Sequence, residues 1–366
     1  MIKNCDKCYS TPPSIAILEL TLECNMDCIH CGSSAGKARK NELSTEEIKT
    51  VINELAEIGT GGIALMGGEV FLRKDWYEIS EEIKKLGMKL SIATNGYFNP
   101  ENIVPKLLKL EIDSLSVGLD GTKKTHNYIR GRNDAFDKTM KFIEMTQKEG
   151  LDPCPLTTFF KTNFNEFAEI KKLVLEKGLE WDVNMGSLIG RFPKELMLSC
   201  EQYYEIGLLT AAVKKEYPNN NIYTGHNIGF HSQIIPSFSV SQTWNGCYAG
   251  KTNIGIKSNG DVNGCLPLPD KFTEENIRNK GIKNIWNDPN AFSYNRQFNL
   301  DTDLHGFCKK CKYKFTCKGG CTMNASTITG KNHGDPYCFY RIEKEIFGRE
   351  IDKKVQELIE KNSISI

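Results

Sequence analysis

The sequence predicts an α/β chain, a partial (β/α)6 barrel of the TIM type followed by a small cysteine-rich domain. Three observations predict it. Six short apolar runs alternate with amphipathic helical segments between residues 14 and 188, which implies a parallel sheet. Short polar motifs stand directly after the first four runs. Seven of the 14 cysteines crowd the stretch from Cys247 to Cys338.

The elements follow in order. Residues 14–20, "SIAILEL", form a nearly continuous apolar run of strand length, as a parallel strand covered on both faces requires. A helix comes next. Ser44 and Glu47 spell a capping box, Leu43 can staple to Ile48, and Ile48, Val51, Ile52, Leu55 and Ile58 recur at helical spacing. "GGIALMGGE" reads as a second strand ending in a glycine turn. The alternation continues through helix 75–86, strand 89–93, helix 101–110, strand 113–118, helix 136–149, strand 154–160, helix 164–178 and strand 181–188. A last helix, with Ile342, Ile346, Ile351, Val355 and Leu358, reads as packing.

This alternation suits an open doubly wound sheet as well as a barrel. The polar motifs favour the barrel, because loops at the carboxyl ends of barrel strands build active sites on one rim. After the first strand comes "CNMDCIHC"; after the second Gly67, Gly68 and Glu69; after the third Thr94, Asn95 and Gly96; after the fourth Leu119, Asp120 and Gly121. A glycine pair at a strand end is by itself most often a turn. The weight lies in the order and the shared rim.

Composition narrows the function. The chain has 366 residues, 39% hydrophobic and 25% charged, with a formal net charge of +1. No block of like charges is long enough to present a basic face to nucleic acid or an anionic membrane. No run approaches the roughly 18 apolar residues of a membrane span, and the amino terminus lacks a signal-peptide core. A cytoplasmic protein is expected, and in a reducing compartment clustered cysteines bind metals more often than they form disulfides.

Cys24, Cys28 and Cys31 have the spacing C-x3-C-x2-C. A structural zinc takes four protein ligands and a [4Fe–4S] cluster can be held by four thiolates, so three cysteines leave one coordination position for something else. A zinc loop completed by a distant ligand such as His30 is the plain alternative, and it explains none of the other rim motifs. With its loop and rim motifs the chain, over about the first 190 residues, resembles the radical S-adenosylmethionine (radical SAM) enzymes. The resemblance implies a [4Fe–4S] cluster on Cys24, Cys28 and Cys31 whose free iron chelates S-adenosylmethionine, and reductive cleavage to methionine and a 5′-deoxyadenosyl radical. It implies that Gly67, Gly68 and Glu69 meet the methionine amino group, that Asn95 lies near the ribose, and that Asp120 is a further cofactor-side residue.

The later cysteines run Cys247-x12-Gly260-x4-Cys265, then Cys308-x2-Cys311-x5-Cys317-x3-Cys321, then Cys338. The pattern is similar to the SPASM extension of many radical SAM enzymes, which implies two auxiliary [4Fe–4S] clusters and three in all. Cys308, Cys311, Cys317 and Cys338 would hold one; Cys247, Cys265 and Cys321 would give three ligands to the other, whose fourth ligand is open. A zinc-knuckle module is the alternative. The domains expected are a tail 1–13, barrel core 14–190, connecting segment 191–246, SPASM domain 247–338 and C-terminal helix 339–366.

Members of this family modify ribosomally made peptides, convert a sulfatase serine or cysteine to formylglycine, or build redox cofactors from peptides. A peptide or protein substrate is therefore expected, altered by cross-linking, thioether formation, epimerisation or oxidation, with a small-molecule substrate next and a non-enzymatic iron–sulfur protein as the contrasting class. Two departures count against formylglycine formation: Leu266 follows Cys265 where those enzymes have an aspartate, and Ser241 stands where they have a cysteine. The resemblance also implies an external one-electron donor of flavodoxin or ferredoxin type. With the cluster motif beginning at Cys24, a separate peptide-recognition protein or direct binding is expected. No residue is singled out as a general base. His226 and His231 read as solvated or hydrogen-bonded, Cys154 as a buried small hydrophobe, and Cys5, Cys8 and Cys200 as open questions.

Overall fold

The computed structural model describes residues 11–225, 227–235 and 244–364. Cys5, Cys8, His226 and Ser241 lie outside the described residues. The chain forms two compact units, one holding the residues up to Asp27, 33–116 and 248–298, the other 28–32, 117–247 and 299–366.

In the first unit β1 (Ile15–Thr21) leads through the first part of the cysteine loop and on to α1 (Thr45–Ile58), β2 (Gly62–Gly67), α2 (Trp76–Lys85), β3 (Lys89–Thr94) and α3 (Pro100–Lys109). The capping box at α1 is formed: the Ser44 side chain accepts from the Glu47 N–H, and the Ser44 N–H donates to the Glu47 carboxylate. Gly59 closes the helix in the left-handed region at φ 90°, which glycine adopts without steric cost. Strands β1, β2 and β3 are parallel, with Ala16 level with Ile63 and Leu18 with Leu65. These residues are buried, as the apolar run required.

The other edge of β1 is also covered. β8 (Asn253–Ile256) runs parallel to it, pairing Ala16 with Ile254 and Leu18 with Ile256. β9 (Asp261–Asn263) and β10 (Glu275–Asn276) continue antiparallel, giving the order β10-β9-β8-β1-β2-β3 in this unit. At Gly255 in β8 a side chain would meet the Leu266 backbone nitrogen at 2.4 Å. Only glycine lets the chain after β9 lie so close.

β4 (Ser114–Gly118) is the strand in which the chain passes from one unit to the other. The second unit continues with α4 (Lys123–Arg130), α5 (Ala135–Lys148), β5 (Pro153–Phe159), α6 (Phe167–Leu175), β6 (Trp181–Met185), α7 (Cys200–Glu216) and β7 (Ile222–Thr224). β5, β6 and β7 are parallel neighbours. Phe159, Phe167 and Trp181 pack ring to ring between β5, β6 and α6, and the Trp181 indole N–H donates to Thr157 Oγ1 at 2.9 Å, so the large ring is buried without an orphaned donor.

Two elements differ from expectation. α4 is a separate helix that apolar periodicity does not announce, because most of its eight residues are polar. The C-terminal helix is not continuous: a π-helical turn over Ile342–Phe347 ends at Gly348 with φ 56°, and α-helix resumes only at Ile351–Asn362. Glu343 explains the interruption. Its buried carboxylate accepts from the Tyr204 hydroxyl, the Ser232 hydroxyl and the Gln233 N–H, a demand for position that overrides helical regularity.

Candidate functional site

The first unit assembles the beginning of the cysteine loop with the glycine and asparagine motifs. The Gly68 N–H donates to Thr21 O at 2.8 Å and the Glu69 N–H to Glu23 O at 2.7 Å, so the turn after β2 runs against the strand end leading to Cys24. A side chain at Gly67 would stand 2.4 Å from Thr21 O, and one at Gly68 2.1 Å from Glu23 O. Both glycines are therefore required by close approach. The Glu69 carboxylate is fully buried and accepts from Thr94 Oγ1 at 2.9 Å, the Asn95 N–H at 2.8 Å and the Phe71 N–H at 3.3 Å. It ties the motif after β2 to the motif after β3.

Asn95 carries the link onward. Its Nδ2 donates to Asn25 Oδ1 at 2.7 Å and lies 3.8 Å from Cys24 Sγ, while its Oδ1 accepts from the Tyr97 N–H at 2.8 Å. Thus three motifs chosen from sequence as one rim are joined in this unit by hydrogen bonds. Glu69 and Asn95, for which the resemblance implies a place beside the cofactor, also tie down the start of the cysteine loop.

Cys28, His30 and Cys31 belong to the second unit, where Asp120 is their neighbour. Asp120 is fully buried; Arg130 Nη2 stands 2.7 Å and His30 Nε2 3.1 Å from its Oδ2, and the Thr158 N–H donates to its Oδ1 at 2.9 Å. Burial would raise this carboxyl's pKa, but the Arg130 guanidinium and His30 outweigh burial and hold it well below the usual range. Arg130 Nη1 in turn lies 3.8 Å from Cys28 Sγ. Burial pushes the Cys28 thiol up, and the arginine opposes that. His126, also buried, accepts from the Asp120 N–H through Nδ1 at 3.1 Å; burial and Arg130 lower its pKa to about 3, so it is neutral.

Arg130 and His126 were missed in the sequence. A basic residue in the last turn of a short helix reads as a complement to the helix dipole. Gly190 was missed too. The Arg191 N–H donates to Cys31 O at 3.1 Å, and a side chain at Gly190 would stand 2.5 Å from that same oxygen.

The second unit also gathers Cys308, Cys311, Cys317 and Cys338 around one cavity, with His231 and Asp335 in its wall. Lys318, Gly319 and Gly320 follow Cys317 with φ of 51°, 86° and 79°, a left-handed run that folds the chain back over the cavity. All four thiols are free, Cys317 and Cys338 buried and the others half-buried. Burial pushes the Cys308 and Cys317 thiols up to about 12. A bare thiolate is costly there, whereas metal coordination holds the sulfur deprotonated. Four thiols converging on one cavity is the donor set of an iron–sulfur cluster, so these residues fit the group. Asp335 is buried, and its Oδ1 accepts from the Tyr337 N–H at 2.9 Å.

The other three cysteines are brought together in part. Cys247 and Cys321 are hydrogen-bonded partners in the second unit, and that contact together with burial raises the Cys321 thiol. Cys265 is in the first unit, in the turn after β9, where its carbonyl accepts from the Leu268 N–H at 3.1 Å. Cys154 is buried in β5 as expected. Cys200 starts α7 in a half-buried position.

Residues 18–174 match the Radical SAM superfamily, and 247–312 match SPASM, an iron-sulfur cluster-binding domain. Over 349 residues the chain is 31% identical to an AdoMet-dependent heme synthase of Methanosarcina barkeri, covering 91% of this chain and 98% of the relative. The chain belongs to the radical SAM superfamily. This radical SAM enzyme is also 27% identical over 329 residues to the mycofactocin maturase MftC of Mycolicibacterium smegmatis, covering 87% of this chain and 81% of that one. Its fold is that of Streptococcus suis SuiB, solved bound to the precursor peptide SuiA: TM-score 0.74 at 18% identity, covering 90% of this chain and 76% of that one. The expected class, α/β with a partial barrel and a SPASM domain, is the one found, and the cofactors it implies are [4Fe–4S] clusters and S-adenosylmethionine. Among the described residues no helix is long and apolar enough to cross a membrane.

Proposed function

We propose that this radical SAM enzyme modifies a ribosomally made peptide or protein by hydrogen abstraction. Cys24, Cys28 and Cys31 hold the radical cluster, with Gly67, Gly68, Glu69 and Asn95 on the S-adenosylmethionine side and Asp120 and Arg130 steadying the loop. Cys308, Cys311, Cys317 and Cys338 hold one auxiliary cluster, and Cys247, Cys265 and Cys321 supply three ligands to another. When bound, the first cluster and its S-adenosylmethionine supply a 5′-deoxyadenosyl radical. The chain's own task is to fix and dry the site, because holding reacting atoms in place contributes about 7–11 kcal/mol.

The observation that carries the peptide substrate is the MftC relative aligned over most of this chain; the fold shared with SuiB accords with it. The 31% identity to a heme synthase favours a second reading, a small-molecule substrate of tetrapyrrole type. Leu266 is buried beside Gly255, so the formylglycine base has no counterpart at that position. The deciding experiment measures 5′-deoxyadenosine release by anaerobically reconstituted protein with candidate precursor peptides and, separately, with iron porphyrins bearing carboxylate side chains. Stimulation by a peptide, with a mass change in it, supports the first reading. Stimulation by the porphyrin alone would replace it with the second.

A further inference from the structure

The segment from Phe307 to Lys318, "FCKKCKYKFTCK", holds five lysines and no acidic residue among twelve positions. Three of its residues are cluster cysteines, so no block of like charge shows in the sequence. Folding changes that. Lys309, Lys310 and Lys312 are exposed and Lys314 and Lys318 half-exposed, and none of the five forms an ion pair with a described carboxylate. Glu345, an exposed acid lining the same groove as Lys310 and Lys312, is already held by Arg341 at 2.7 Å.

Aromatic rings lie among these charges. Lys312 Nζ stands 4.9 Å from the Tyr313 ring and 5.3 Å from the Tyr340 ring, which meet edge to face, and Phe315 is 65% exposed. Phe307 and Cys311 line the inner cavity of four cysteines and also an outer groove with Lys310, Lys312, Tyr340 and Glu345. The wall between the cysteine cavity and solvent is therefore one residue thick at Phe307 and Cys311, and Lys310 and Lys312 stand on its outer side.

We propose that this face docks a small acidic one-electron carrier protein, which exchanges electrons with the auxiliary cluster held by Cys308, Cys311, Cys317 and Cys338. The proposal rests on the cluster assignment above and adds the place and chemistry of the partner's contact. In the step concerned the reduced carrier loses one electron and the oxidised cluster gains it; no bond forms or breaks and no proton moves. Charge complementarity selects the partner, since an acidic surface gains from cations that have no internal counter-ion. A transient electron-transfer contact needs only a small interface. Nucleic acid or a membrane would gain nothing from having the lysines interleaved with cluster ligands.

The test uses full-length, anaerobically reconstituted protein whose iron content is measured first. It is mixed with reduced flavodoxin, an acidic carrier, and cluster bleaching is followed over a range of ionic strength. The second-order rate should fall with salt. At low salt it should drop about tenfold in the neutral K309Q/K310Q/K312Q variant and further in K309E/K310E/K312E, with a flattened salt slope. Reduction by dithionite, a small reagent that needs no docking face, should be unchanged. Equal flavodoxin rates in wild type and the charge-reversed variant would overturn the proposal, as would an acidic peptide or anionic vesicle binding this face while flavodoxin does not compete. Protein that takes up no iron would instead overturn the cluster assignment, and the iron assay reports that separately.

Discussion

Arg130 Nη1 stands 3.8 Å from Cys28 Sγ, and the same guanidinium lies 2.7 Å from the buried Asp120 carboxylate. One cation therefore serves Cys28 in the loop after β1 and the acid in the loop after β4. Removing it alone leaves the buried Asp120 with only His30 and the Thr158 N–H as partners, and breaking a buried pair in this way costs up to about 3–5 kcal/mol. Arg130→Met should destabilise the unloaded protein by that order in denaturant unfolding. The double variant Arg130→Met with Asp120→Asn should recover most of the loss, and additive losses would show that the pair does not act as a unit.

Asn95 makes the corresponding contact with Cys24. A hydrogen bond to a charged group contributes about 1.5–3 kcal/mol, so Asn95→Ala should weaken S-adenosylmethionine binding about tenfold or more, as should Glu69→Ala. Iron content should hold in both. Because Asn95 Nδ2 approaches Cys24 Sγ, its variant should also shift the spectrum of the radical cluster. Calorimetry with S-adenosylmethionine and an iron assay read the two effects separately; unchanged affinity in both variants would remove these residues from the cofactor.

Reconstituted protein should bind about twelve irons, four for each [4Fe–4S] cluster. Changing Cys24, Cys28 and Cys31 together to alanine should remove about four irons and all cleavage of S-adenosylmethionine. Changing Cys308 and Cys311 should remove about four others and leave the first cluster's signal. Zinc in place of iron, by metal analysis, would contradict the assignment.

Asp182 on β6 provides a pH test. Burial raises its carboxyl from 3.8 to about 6, with Asn184 as its hydrogen-bonding partner. The folded chain thus holds this proton more firmly than the unfolded chain. Its contribution to stability is complete below about pH 4 and is lost as pH rises through about 6. Asp182→Asn should flatten that part of the profile; thermal unfolding of wild type and variant between about pH 3.5 and 7 should converge at the acid end and separate as pH rises from about 4 to about 6, the variant being the more stable above that.

Much of the site was legible because its chemistry depends on residue type at fixed spacing. Three cysteines in one short loop, a glycine pair before Glu69 and seven later cysteines each require particular side chains, and periodicity placed the strands that present them. The lysines around Cys308 and Cys311 were hidden because they alternate with cysteines, and only the folded surface shows that they are exposed and that Lys310 and Lys312 line one groove. Arg130 was hidden because its partners, Cys28 and Asp120, are far from it along the chain or on another element.

Residue type and spacing along the chain were enough to give the class of chemistry, the alternation of strands and helices, and the thiols concerned. Local interactions suffice for these: hydrophobic period, caps, glycine turns and ligand spacing act over a few residues. Tertiary structure alone decided that β8 covers the free edge of β1, that Cys308, Cys311, Cys317 and Cys338 share a cavity, and that Asp120 is held by Arg130. Each of these depends on strand edges, thiols and charges finding partners outside their own helix or strand. That pairing is set by the desolvation cost of leaving them alone, which no local pattern records.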